Sequence, residues 1–134
     1  MKHGFCLGVG FVGSFFVSFI GGWDSGVKVL LFLMVVDYVS GLIVGGFFKS
    51  SKKTESGGLR SDIGIKGLFR KVLMLVYVGV AYRIDVLLDE AYIRNAVIIS
   101  FSTNEIISLT ENFGLMGVPL PRKVKEAIDV LQNK

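Results

Sequence analysis

Long apolar runs alternate with short polar ones along this chain. Each apolar run approaches the roughly 20 residues that a helix needs to cross a ~30 Å hydrocarbon layer. Residues 4–22 carry no charge. Residues 29–48 read VLLFLMVVDYVSGLIVGGFF, broken only at Asp37. Residues 72–88 are apolar except for Arg83 and Asp85, and residues 96–112 (AVIISFSTNEIISLTEN) are amphipathic. This pattern predicts an all-α membrane protein, a single domain over 1–134, with about four transmembrane helices near 4–22, 28–48, 69–88 and 95–113. The alternative is three spans with an interfacial N-terminal helix. A basic loop, 49–68, joins the second and third spans. Gly114 and Gly117 end the fourth, and Pro119 and Pro121 punctuate its exit. The tail, 118–134, then places Val124, Ile128 and Leu131 at i, i+4 and i+7, a short amphipathic helix.

The polar interruptions carry most of the information. An ionised carboxylate at mid-bilayer costs about 2.5–3.5 kcal/mol, so Asp37 needs a reason to be there. Ser40, Gly41 and Gly45 share its helical face, and the Gly41–Gly45 spacing lets helices approach closely in lipid. Upstream, Gly10, Ser14, Ser18 and Gly22 form a second small-residue ridge beside Phe11, Phe15 and Phe19. Trp23 fits an interfacial aromatic belt. In the last run Ser100, Asn104, Ser108 and Asn112 recur every four residues, flanked by Glu105 and Glu111. Asp37 and Glu105 are both mid-span, so they are expected to face the interior of a bundle or oligomer. Asn104 and Ser108 are their expected donors, and Arg83 reaches one acid if its helix is shifted inward. The two acids read either as a structural pair or as proton carriers. Arg83 and Asp85 lie about 200° apart on a helix. Either each has a partner elsewhere, or that helix end lies among headgroups.

Composition agrees with a membrane. The 134 residues suffice for one domain; 51% are hydrophobic and the mean hydropathy is +0.62. The net charge of +4 matters through its placement. Lys49, Lys52, Lys53, Arg60, Lys66, Arg70 and Lys71 fall between the second and third spans, and Arg122, Lys123, Lys125 and Lys134 fall in the tail. The positive-inside rule puts both regions and both termini in the cytoplasm, with the turns at Trp23 and Asp89 outside. Only Lys28 and Arg94 then put basic charge outside. Lys49, Lys52, Lys53, Lys66, Arg70 and Lys71 are candidates for anionic-lipid contact, at about 1 kcal/mol each near the surface. No stacking aromatics interleave with them, which argues against nucleic acid. Cys6 is the only cysteine and His3 the only histidine. No Ser–His–Asp set, HExxH, CxxC or GxxxxGK[ST] is present, so neither an enzyme nor a cofactor is expected.

Three ordered motifs carry a resemblance. Asp37-Tyr38-Val39-Ser40-Gly41 looks like a D-Y-x-[ST]-G motif. Ser61 to Leu68, followed by Arg70-Lys71, looks like S-x-x-G-x-K-G-[IL] with a basic segment. Asn104-Glu105, Ser108 and Glu111-Asn112, then Gly117-Val118-Pro119-Leu120-Pro121, look like N-E-x-x-S-x-x-E-N and G-V-P-[LIV]-P. Together they resemble the phage-lysis and toxin-secretion holin family, from about Val29 to the C-terminus. The resemblance implies a homo-oligomer in the bacterial cytoplasmic membrane that opens lesions and releases an endolysin or a large toxin. An antiholin is an implied partner. Two other readings share these features: a regulatory antiholin, and a small ion- or proton-conducting channel or transporter.

Overall fold

The computed structural model describes residues 1–49, 58 and 60–132, and no strand occurs among them. Five helices follow in order: α1 (Lys2–Phe19), α2 (Ser25–Gly46), α3 (Ser61–Leu88), α4 (Ile93–Leu115) and α5 (Arg122–Gln132). The all-α expectation therefore holds. Among the described residues, α1 and α2 combine sufficient length with sufficient mean hydropathy, 1.3 and 2.2, to cross a membrane. Helices α3 and α4 have 28 and 23 residues, long enough for a crossing at 1.5 Å per residue. Their charged and polar positions keep them from meeting the same composition test, so hydropathy alone supports two spans of the expected four.

Local chemistry sets the boundaries. Asp24 caps α2, its Oδ1 accepting from the Val27 N–H at 3.0 Å, so α2 starts at Ser25. Helix α3 starts eight residues before the expected 69, taking in residues 61–68 of the expected loop. Neither Ser61 nor Asp62 is its N-cap; Arg60 is, and its guanidinium pairs with Asp62 in the first turn at 3.1 Å. Lys71 is consequently almost three turns inside a helix. Asp89, in the left-handed region at φ 54°, ends α3.

The helices α2 and α4 run parallel and make the main packing contact, with α3 antiparallel to both. Asp24 lies opposite Arg94, and Asn112 opposite Gly41. Helices α2 and α3 barely touch. The buried core, Ile20, Val27, Leu30, Met34, Val78 and Ile98, gathers towards the end that carries the 20–24 and 89–92 turns. Outward, α2 exposes Val29, Phe32 and Val35, and α3 exposes Ile65, Phe69 and Leu73. Apolar surface that extensive calls for lipid or protein to cover it.

Helix α1 joins this body only through its last turns. Phe16 and Phe19 pack on the core, whereas Phe5, Leu7, Phe11 and Val12 are exposed. The Phe19 ring lies over Gly79, where a Cβ would overlap it. Gly79→Val should push the ring out at the ~1–3 kcal/mol typical of overpacking. The expected readout is faster amide exchange at residues 20–22 with α2 and α4 unaffected. Wild-type exchange there would mean that α1 is not anchored through Phe19.

Candidate functional site

Three helices each bring one ionisable side chain to the bundle centre. Asp37 comes from α2, Lys71 from α3 and Glu105 from α4. Lys71 Nζ donates to Asp37 Oδ2 at 2.7 Å and to Glu105 Oε2 at 2.6 Å. The Lys71 side chain retains 14% of its exposure and the two acids 8% and 7%. Such ions are tolerable in a low-dielectric interior only when paired and further hydrogen-bonded. The further bonds come from Asn112, whose Nδ2 donates to Asp37 Oδ1 (3.1 Å), the Asp37 carbonyl (3.2 Å) and Ser40 Oγ (2.9 Å). Ser40 in turn donates to the Asp37 carbonyl at 2.9 Å. Among the described residues no buried side-chain polar atom lacks a partner. Since α2 and α3 hardly meet otherwise, Lys71 is the main tie between them, helped by Tyr38 Oη donating to the Gly64 carbonyl at 3.1 Å.

The cluster lines a cleft of about 420 Å³ between α2, α3 and α4. Gly41 and Gly64 keep its walls thin; a Cβ on either would only touch Asn112 or Tyr38. No group of three or more His, Cys, Asp or Glu that could hold a metal occurs among the described residues.

A second polar centre sits at the other end. Arg94, 6% exposed, folds the α1–α2 turn around its guanidinium. It donates to the carbonyls of Ile20 and Gly22 and, at 2.6 Å, to Asp24 Oδ2. This guanidinium holds the Asp24 carboxyl below the usual carboxylate range, against the opposing effect of burial. Gly21, at φ +90°, is required here: a Cβ would strike the Tyr82 ring and Arg94 Nε. Asp85 caps α4 from α3, accepting from the Ile93 and Arg94 N–H groups at 2.9 and 3.0 Å. Nearby, Arg83 donates to the carbonyls of Phe19 and Gly79 and stacks over the Phe19 ring.

The expected site residues divide accordingly. The structure brings Asp37 and Glu105 together through Lys71, Ser40 joins Asp37 directly and through Asn112, and Gly41 and Gly45 line the same cleft. Ser108 faces the same carboxylate. Arg83 does not reach either acid; it serves the α1 anchor. Ser100 and Asn104 are exposed, Ser100 on a separate face beside Tyr77 and Tyr92. A four-residue repeat drifts about 40° per step on a 3.6-residue helix, so the stripe rotates away by roughly 120° from Asn112 to Ser100. Lys71, expected at lipid headgroups, is instead the partly buried cation between the two acids, because α3 starts early enough to carry it inside. Lys49, Lys66 and Arg70 are exposed. Lys52 and Lys53, and Lys134 of the tail, lie outside the described residues. Sequence reasoning missed Arg94 and Asp85 as a pair of centres. A usable signal existed: Tyr92, at the N-cap of α4, offers no side-chain cap, so an acceptor had to come from elsewhere.

Comparison with known proteins adds the following. The bacteriophage holin family matches residues 14–133. An uncharacterised protein of Halalkalibacterium halodurans is 37% identical over 124 residues, covering 87% of this chain and 86% of its own. An uncharacterised protein of Clostridium perfringens is 36% identical over 130 residues, covering 96% and 90%. A probable holin of Bacillus phage phi105 is 29% identical over 117 residues, covering 87% and 81%. No solved structure matches.

Proposed function

The chain belongs to the bacteriophage holin family, and from that premise we propose that it assembles with copies of itself in the bacterial cytoplasmic membrane and opens lesions that release an endolysin or a large toxin. The observation that carries this reading is the Asp37–Lys71–Glu105 cluster, shared by three helices, of which α2 and α3 turn apolar faces outward. A water-filled lesion needs a polar lining, which the outer faces of α2 and α3 cannot supply. Moving α3 off the α2–α4 pair would turn the three ions towards water. The proposed topology has four spans, α1 to α4, with both termini cytoplasmic and the Arg94 corner outside. The parallel run of α2 and α4 suits that arrangement.

Two experiments test it. Inducible expression, with membrane potential and culture density followed together, should give abrupt loss of both and release of a co-expressed cytoplasmic hydrolase. Delay of killing by a second holin, with none by this chain alone, would instead make it an antiholin. An ion-selective current without hydrolase release would make it a channel. For topology, Glu90→Cys in a Cys6→Ser background should label from outside intact cells and Lys123→Cys should not. External labelling of Lys123→Cys would overturn the four-span arrangement.

A further inference from the structure

The cleft beside the ion cluster has free charges of both signs. Its lining includes Asp37, Glu105 and Glu111 against Arg60, Arg70 and Lys71, so the formal charges cancel. Four of the six are already engaged: Lys71 holds Asp37 and Glu105, and Arg60 pairs with Asp62. Arg70 on α3 and Glu111 on α4 have no ion-pair partner among the described residues. The exposed Asn104 amide lies in the same cleft, and Leu42, Ile63 and Leu115 supply apolar wall.

We infer that this cleft binds one zwitterionic phospholipid headgroup with a primary ammonium, phosphatidylethanolamine in chemical type. Neutral overall charge gives no advantage to a purely anionic ligand. A zwitterion satisfies both free charges, its phosphate on the Arg70 guanidinium and its ammonium on the Glu111 carboxylate, with the Asn104 carbonyl as a further acceptor. A primary ammonium carries three N–H donors, whereas a quaternary ammonium has none, so the carboxylate discriminates between the two. The apolar wall suits the first carbons of the acyl chains. The volume, about 420 Å³, is in the range of small-molecule sites. The inference rests on the membrane location argued above and not on lesion formation, so its failure leaves that function standing.

The test is native mass spectrometry of the purified full chain, loaded with equal amounts of phosphatidylethanolamine, phosphatidylcholine and phosphatidylglycerol. The ethanolamine lipid should be retained about tenfold better than the choline lipid, the size of one charge-assisted hydrogen bond. Glu111→Gln should abolish that preference and, by leaving the cleft one positive charge in excess, should strengthen phosphatidylglycerol binding. Arg70→Gln should weaken all three lipids, and Arg70→Lys should restore part of the loss. Ser100→Ala, on another face, should behave as wild type. Circular dichroism and melting of each variant guard against misfolding. Soluble glycerophosphoethanolamine separates the sources: displacement at comparable concentration means that the headgroup alone is recognised, and weak displacement means that the acyl chains contribute. Equal retention of ethanolamine and choline lipids, or a preference that survives Glu111→Gln, would overturn the site.

Discussion

Lys71→Met should cost the bundle about 3–5 kcal/mol, because it leaves two buried carboxylates facing each other without their cation. Methionine keeps most of the apolar stem, so the loss reports the charge and not the volume. For a chain of this size that corresponds to a fall in melting temperature on the order of 10 °C or more, read in detergent solution. On the lesion-forming function proposed above, killing after induction should come earlier, since α3 would no longer be tied to α2. Adding Asp37→Asn and Glu105→Gln should recover most of the stability, as neutral replacement of a whole buried ion set is often tolerated. A single variant within 1 kcal/mol of wild type, and a triple variant no better, would mean that the cluster does not hold the helices together. Asp37→Leu and Glu105→Leu extend the argument. Both acids share Lys71, so the double variant should fall short of the two effects added.

Arg94→Met should have an effect of similar size at the other end. The buried guanidinium has two turn carbonyls and the Asp24 carboxylate to satisfy, and all three lose their donor together. Arg94→Lys should be intermediate. A lysine keeps the charge beside Asp24 but lacks the planar fork that spans the Ile20 and Gly22 carbonyls. Amide exchange at residues 20–24 and the emission of Trp23, half exposed in that turn, should follow the series from arginine to lysine to methionine. A lysine variant equal to wild type would reduce the corner to a simple ion pair.

The sequence made the helices legible because apolar runs of spanning length admit few other readings, and Asp37 and Glu105 stood out for the cost of their burial. It hid their cation. Lys71 ends a string of basic residues that reads as one headgroup segment, and only the early start of α3 at Ser61 separates it from the rest. The Ser100–Asn112 stripe misled for a geometric reason: equal spacing in sequence is not one face on a 3.6-residue helix, and its two ends point differently. Arg94 looked like an outside surface charge because its partners are mostly backbone carbonyls, which no side-chain pattern announces. Arg83 lies nearer the last turn of α1, where it meets the Phe19 carbonyl, than either acid.

The spacing of the ion cluster along the chain also has a consequence for biogenesis. Lys71 lies 34 residues after Asp37, and Glu105 another 34 after Lys71. At roughly 5–20 residues per second of synthesis, each partner follows the last by about 2–7 s. During the first interval α2 has left the ribosome with a lone carboxylate in its middle, and during the second the acid and the amine form a pair that the other acid has yet to join. In the four-span arrangement proposed above, Asp37 is protonated or sheltered by the insertion machinery until α3 arrives. A ribosome stalled between the second and third helices would therefore strand the chain at its least membrane-compatible stage.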